Sequence, residues 1–389
     1  MRWAARLLSA ATLMLAGCAT IGDAVDAINP FSKSAPKVKP APLPAIVPRA
    51  EIARLWQANV GRSGEYVHTP AVVGDSVYAA SRDGTLARFD NGREIWRIET
   101  GKVLSGGVGA SGELVVVGTP KGEVLAFRAQ DGRLAWQARA SSEILARPAL
   151  ADDLVVVRSS DARIHAFAAA DGKRRWVYQR PTPALVLRSH AGIVLTDKAV
   201  YAGFPGGKLA AISRVNGAAL WEATVALPRG TTELERIADV ASDPIVDAVM
   251  VCAIAYQGRL ACFDRDDGRQ LWARDISSLA GLDIGNRAIF VADEKGVVHA
   301  FDRNGGATLW KQDGLRLRAL GRPLVLGRKI VAGDFEGYVH VLAEEDGSFI
   351  GRLATDGSPL VAAPQRLNGR GGAFVVQTKN GAVHALSVE

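Results

Sequence analysis

The chain has no apolar run long enough to span a bilayer; its early one, Leu7 to Ala16, is too short. It shows no helical pattern across its repeated region, which argues against a helical solenoid. Basic residues outnumber acidic ones only moderately, 47 to 40, and the net charge of +7 is spread along the chain. Without a basic stripe or interleaved stacking aromatics, nucleic acid is not an expected partner. Cysteine is scarce, with Cys18, Cys252 and Cys262 and no vicinal pair. The six histidines do not gather either. His165, His299, His340 and His384 hold the same place in four repeat units, and His68 and His190 stand apart, so no metal site is expected.

What is present is a rhythm. Trp56, Trp96, Trp136, Trp176, Trp221, Trp272 and Trp310 are spaced by 40, 40, 40, 45, 51 and 38 residues, and the next position, 41 residues on, is Gly351. Four residues before each position from Trp96 onward stands a glycine: Gly92, Gly132, Gly172, Gly217, Gly268, Gly306 and Gly347. The unit is typified by Gln257 to Trp272: a Gly turn, an apolar strand ending in an aromatic, an Asp-Gly turn, and a strand closing on Trp. That is a β-hairpin, and its period is that of β-propeller blades. From about Glu51 to Glu389 the chain has 339 residues, about 42 for each of eight four-stranded blades.

Strands such as Leu260-Ala261-Cys262-Phe263 are apolar on both faces, as expected of sheets covered on both sides. Small residues ten positions before the Trp, namely Ala126, Ala166, Ala211, Cys262 and Ala300, are expected to make room between neighbouring sheets. The indole is expected to span the gap between blades near the Gly turn. The last copy, Asn380 to Glu389, stops before a fourth strand, whereas residues 51–56 supply a Trp with no hairpin before it. Joined, they make one blade, so the N-terminal strand completes the last sheet and removes an open edge.

Arg2 and Arg6, the apolar run, and Leu15-Ala16-Gly17-Cys18 read as a lipoprotein signal, with residues 1–17 removed and Cys18 lipidated. Ala19 in place of Asp points, by enterobacterial sorting rules, to the outer membrane, where the mature protein would face an oxidising compartment. Residues 18–50, with Pro30, Pro36, Pro40, Pro42, Pro44 and Pro48, read as a flexible tether. Cys252 and Cys262 flank Gln257 almost symmetrically, so a pairing centred there lets them form a disulfide, and a one-residue slip sends them to opposite faces. Other repeats hold apolar residues at these places, such as Val116 with Ala126, which favours a reduced core pair.

The repeat form A-x-x-x-x-D-G-x-x-x-W resembles that of pyrroloquinoline-quinone-type propellers. With the lipobox, eight blades and an insertion, the mature chain resembles the propeller lipoproteins of the outer-membrane β-barrel assembly (BAM) machinery. The resemblance implies a non-catalytic scaffold, lipid-anchored on the periplasmic face of the outer membrane and monomeric within a hetero-complex. Its implied partners are the periplasmic POTRA domains of the barrel-inserting protein BamA, with strand edges offered to unfolded outer-membrane chains as one further route. A basic surface suits acidic periplasmic domains or anionic lipid.

Both long intervals lie between Trp176 and Trp272, carrying residues 181–188 (PTPALVLR) and 230–240 (GTTELERIADV), the latter expected to form a short helical turn. On the family match, Leu185, Leu187 and Arg188 supply two apolar anchors beside a bidentate cation, and Asp239 contributes from the neighbouring loop. A second acidic residue common in the family is Ala241 here. The competing reading makes Leu185 and Leu187 the inward face of a strand.

Two other functions compete with this one. A quinoprotein dehydrogenase needs metal ligands, a general base and an aromatic platform. Every Trp of the folded region is already a repeat position, and Asp131, Asp171, Asp266, Asp267 and Asp346 sit in hairpin turns. A glycan-binding lipoprotein using the central face of the propeller is the other. No cofactor is expected.

Overall fold

Turn chemistry cuts the chain at regular places. In the Asp-Gly hairpins the Asp131, Asp171, Asp267 and Asp346 carboxylates each accept the amide two residues on, at 2.9–3.1 Å, and the following glycines adopt positive φ. The computed structural model describes residues 39–369 and 371–389; the signal-peptide and Cys18 readings fall outside them. Thirty-two strands form eight four-stranded antiparallel sheets, and no helix occurs among the described residues. Seven blades are sequential, at residues 71–99, 106–139, 149–178, 193–224, 245–275, 282–312 and 324–354. In the eighth, residues 365–388 give three strands and Ile52–Asn59 the outer fourth, pairing with Ala382–Val388. The ring therefore closes as the half-repeats at the two ends imply.

The tryptophan seams explain the sequence rhythm. Trp136, Trp176 and Trp272 are 6–8 % exposed, and each donates its indole N–H to a carbonyl of the next blade, Ala169, Arg214 and Arg303 respectively, at 2.7–2.9 Å. Trp96, Trp221 and Trp310 do the same with Ala129, Arg265 and Glu344. A Cβ on Gly172 would lie 2.6 Å from the Trp136 ring, so this glycine is required both by its φ of +71° and by the indole above it. Burying one such side chain is worth about 4–6 kcal/mol by area, an upper figure because unfolded chains already hide part of it.

The small residues have a more local role than making room between sheets: Ala126, Ala166, Ala211, Cys262 and Ala300 lie directly opposite a Trp across a strand pair. A bulge follows each of them and turns the outer strand. At Gly351 the missing indole is explained by Ile52, whose side chain sits 3.3 Å from where a Cβ would be.

Two expectations are corrected. Cys252 and Cys262 are register partners with Cα atoms 4.1 Å apart, and they form a disulfide rather than a reduced pair. The hairpin pairing is indeed centred on Gln257, which puts both sulfurs on one face. The tether reading of residues 18–50 also fails at residues 41–50, which are held against the propeller. The Ala41 amide donates to the Arg316 carbonyl at 2.9 Å, Arg318 and Arg352 donate to the Ala41 and Pro44 carbonyls at 3.1 and 3.0 Å, and Ala50 is buried in the seventh-blade core. Backbone groups that composition does not reveal hold this proline-rich segment along the seventh blade. Arg318 is itself fixed there, buried with Asp334 and His340 and flanked by the Phe335 and Tyr338 rings.

Candidate partner-binding site

The two insertions fold against each other. Residues 181–188 belong to no strand, so the inward-strand reading of the two leucines is excluded. Leu185 is 40 % exposed, Leu187 is half-buried and Arg188 is exposed. The second insertion makes one turn: Arg236 donates to the Thr232 carbonyl, and Glu235 accepts the Thr231 and Thr232 amides. Its Leu234, and Leu227 just before it, are more than half exposed.

Asp239 has a different place from the one expected. It is 3 % exposed, and its two carboxylate oxygens accept the Leu187 amide at 2.7 Å and the Gly206 amide at 2.9 Å. It is therefore no surface contact; it holds the Leu185–Arg188 loop in position. An aspartate is suited to this because a carboxylate accepts two amides without needing a donor of its own.

Arg188 is clamped by residues that sequence spacing could not reveal. Its Nη2 and Nε donate to Glu143 at 2.7 and 3.3 Å, and its guanidinium lies 5.7 Å from the Tyr66 ring centre. The Glu143 carboxylate holds the guanidinium charged, against the opposing effect of burial. The side chain keeps about half its exposure, so it is oriented and still accessible. Leu187 and Arg188 also stand at one mouth of the central channel, a cavity of about 540 Å³ walled by Leu145, Leu279, Leu320 and Val361. The neighbouring His190 is kept neutral by burial, its pKa pulled down to about 4.

Arg147 and Arg322 line both this cavity and the one at the opposite mouth, and Asp243 lies between them, 3.7 and 3.5 Å from their guanidinium groups. Charged side chains thus pinch the channel at its waist. The residues do not fit a bound quinone of the kind this repeat carries in dehydrogenases. Phe335 is the one aromatic carbocycle lining the first cavity, the seven seam tryptophans are all packed between blades, and no group of three or more metal-ligating side chains gathers among the described residues.

A closed ring of eight hairpin-built blades, with its irregular loops crowded at one channel mouth, defines a propeller of the pyrroloquinoline-quinone-like repeat class that presents a surface. A family model described as outer membrane protein assembly factor BamB matches residues 82–312 and 294–389, and the chain belongs to that family. The BamB of Bordetella pertussis is 41 % identical over 384 residues, covering 98 % of this chain and 96 % of that protein. The BamB of Nitrosomonas eutropha is 42 % identical over 384 residues, covering 97 % and 93 %. Among solved structures, BamB from Moraxella catarrhalis matches with a TM-score of 0.80 at 27 % identity, covering 87 % of this chain and all of that one. A quinohemoprotein alcohol dehydrogenase from Comamonas testosteroni, at 13 % identity and a TM-score of 0.70 over 86 % of this chain and 76 % of its own, shares the fold alone.

Proposed function

We propose that this chain is a non-catalytic scaffold of outer-membrane protein assembly, anchored through Cys18 to the periplasmic face of the outer membrane, and that it binds the POTRA domains of BamA through Leu185, Leu187 and Arg188. The observation that carries this reading is the construction of the loop: an exposed aliphatic and an oriented guanidinium, pinned from beneath by Asp239 and from the side by Glu143. Preorganised arginine beside aliphatic surface is the composition of an interface anchor, since little side-chain freedom is lost on binding. Membership of a family of outer membrane protein assembly factors supports the same role and the same location.

The test is capture of BamA from detergent-solubilised membranes by the full-length protein and by its R188E variant. Wild-type protein retains BamA, and R188E loses it while staying folded, with its melting temperature little changed. Equal retention by both rejects the assigned loop. An unrelated glycan-dependent capture in its place would favour a cell-wall-binding lipoprotein.

A further inference from the structure

The repeat supplies its own control for which residues the architecture needs. Where the second strand of a blade ends, the residue paired with the branched aliphatic near the start of the third strand is Ala80, Gly118, Gly203, Ile254, Ala292, Gly333 and Gln377 in seven blades. In the third blade it is Arg158, opposite Ile164. None of the seven counterparts is charged, so the propeller closes without a charge at this place.

Arg158 is 8 % exposed, and its one hydrogen bond among the described residues runs from Nη1 to the Ala191 carbonyl at 3.3 Å. One face of the guanidinium lies 5.6 Å from the Phe204 ring centre. Burial pulls its pKa down to about 10, with Asp243 and Asp239 opposing from beyond ion-pair distance. Elsewhere in the molecule, Arg88, Arg128 and Arg188 each grip a carboxylate with the Nε and Nη2 edge. The same edge of Arg158 makes no hydrogen bond among the described residues, and the side chain borders a cavity of about 220 Å³ that Leu187 and Arg188 also line.

We propose that Arg158 is the receptor for a carboxylate side chain of the docking partner, which enters this cavity beside Arg188. The proposal rests on the docking reading above and deepens it by naming the partner chemistry. The free edge of a guanidinium matches a carboxylate with two parallel hydrogen bonds. The cavity is smaller than the roughly 300–1,000 Å³ of small-molecule sites and suits one side chain. Asp239, on the cavity wall, accepts two loop amides, and Glu143 grips Arg188; neither carboxylate accepts a hydrogen bond from Arg158. Because the cation is already out of water, the entering carboxylate meets a donor held in place, and the cost of desolvating that cation has been met in folding.

The test is titration of the lipidated full-length protein in micelles with the purified POTRA-domain segment of BamA, comparing wild type, R158M and R188E. The expected result is binding by wild type, loss by R188E, and at least about 30-fold weaker binding by R158M with its melting temperature preserved. In wild-type protein the Arg158 Nε–H resonance shifts on titration, a readout that stands even if R158M folds poorly. Full binding by R158M, or an unmoved Arg158 resonance while R188E still abolishes binding, overturns the Arg158 assignment and leaves the docking loop intact. Absence of binding by wild type itself overturns the docking reading, and the Arg158 proposal with it.

Discussion

The seams and the loops of this propeller obey opposite rules. At the seams, one solution recurs: Trp over Gly, an indole N–H on a neighbouring carbonyl, a small residue across the strand, and a bulge after it. At the channel mouth between the second and fifth blades, nothing recurs. Arg158, Arg188 and Asp239 each occur once, and each is held by partners from another blade or an insertion. Repetition thus marks what the ring needs to stand, and departure from it marks what the ring is available to do. In a quasi-periodic fold the conspicuous residues are the structural ones.

The contrast can be broken at the seam first. Trp136→Ala removes a buried indole and its 2.7 Å bond to Ala169, and should cost about 3–5 kcal/mol, read as a lower denaturant midpoint at unchanged m-value. BamA capture below the unfolding transition should persist. Next comes the Cys252–Cys262 disulfide, which closes a ten-residue separation. Its reduction, or the double Cys→Ser variant, should cost about 3 kcal/mol. Thiol titration of the unfolded, unreduced protein should detect neither cysteine.

An intermediate effect belongs to pH. His68 and His165 are buried, and burial pulls each pKa down to about 4. These groups are neutral in the folded state and take up a proton on unfolding below the ordinary value near 6.5. Their contribution to stability is complete above pH 6.5 and shrinks as pH falls toward 4, where the folded forms also protonate. The melting temperature should therefore fall across that window, and the fall should be smaller in His68→Gln or His165→Gln proteins. The smallest effect on stability, about 1 kcal/mol, is expected for Arg188→Glu, because the Arg188 side chain is about half exposed. That variant should nonetheless lose capture. Along this series stability and binding effects run in opposite orders.

Most of the fold was legible because its determinants are local and repeated. The Trp spacing counted the blades, and the half-repeats at the two ends gave the closure. The docking of residues 41–50 was hidden, since prolines report the absence of a helix or strand and say nothing of carbonyls that Arg318 and Arg352 reach across more than 270 positions. The disulfide turned on a register that an even or odd offset decides. At the candidate site, the lengthened intervals pointed to two loops that pack together, but the direction of Asp239 did not follow from its sequence neighbours. Glu143 and Arg158 were missed for different reasons. Glu143 meets Arg188 only through the ring, whereas Arg158 was visible as the one charged residue at its place in the repeat.

The central claim is that the irregular mouth, and not the regular outer rim, meets the partner. A photo-reactive amino acid placed at Leu185 and, separately, at the exposed rim residues Leu134 and Leu309 tests it in intact membranes. The account predicts a crosslink to BamA from position 185 and none from 134 or 309. Crosslinking to BamA from the rim with none from 185 would contradict it.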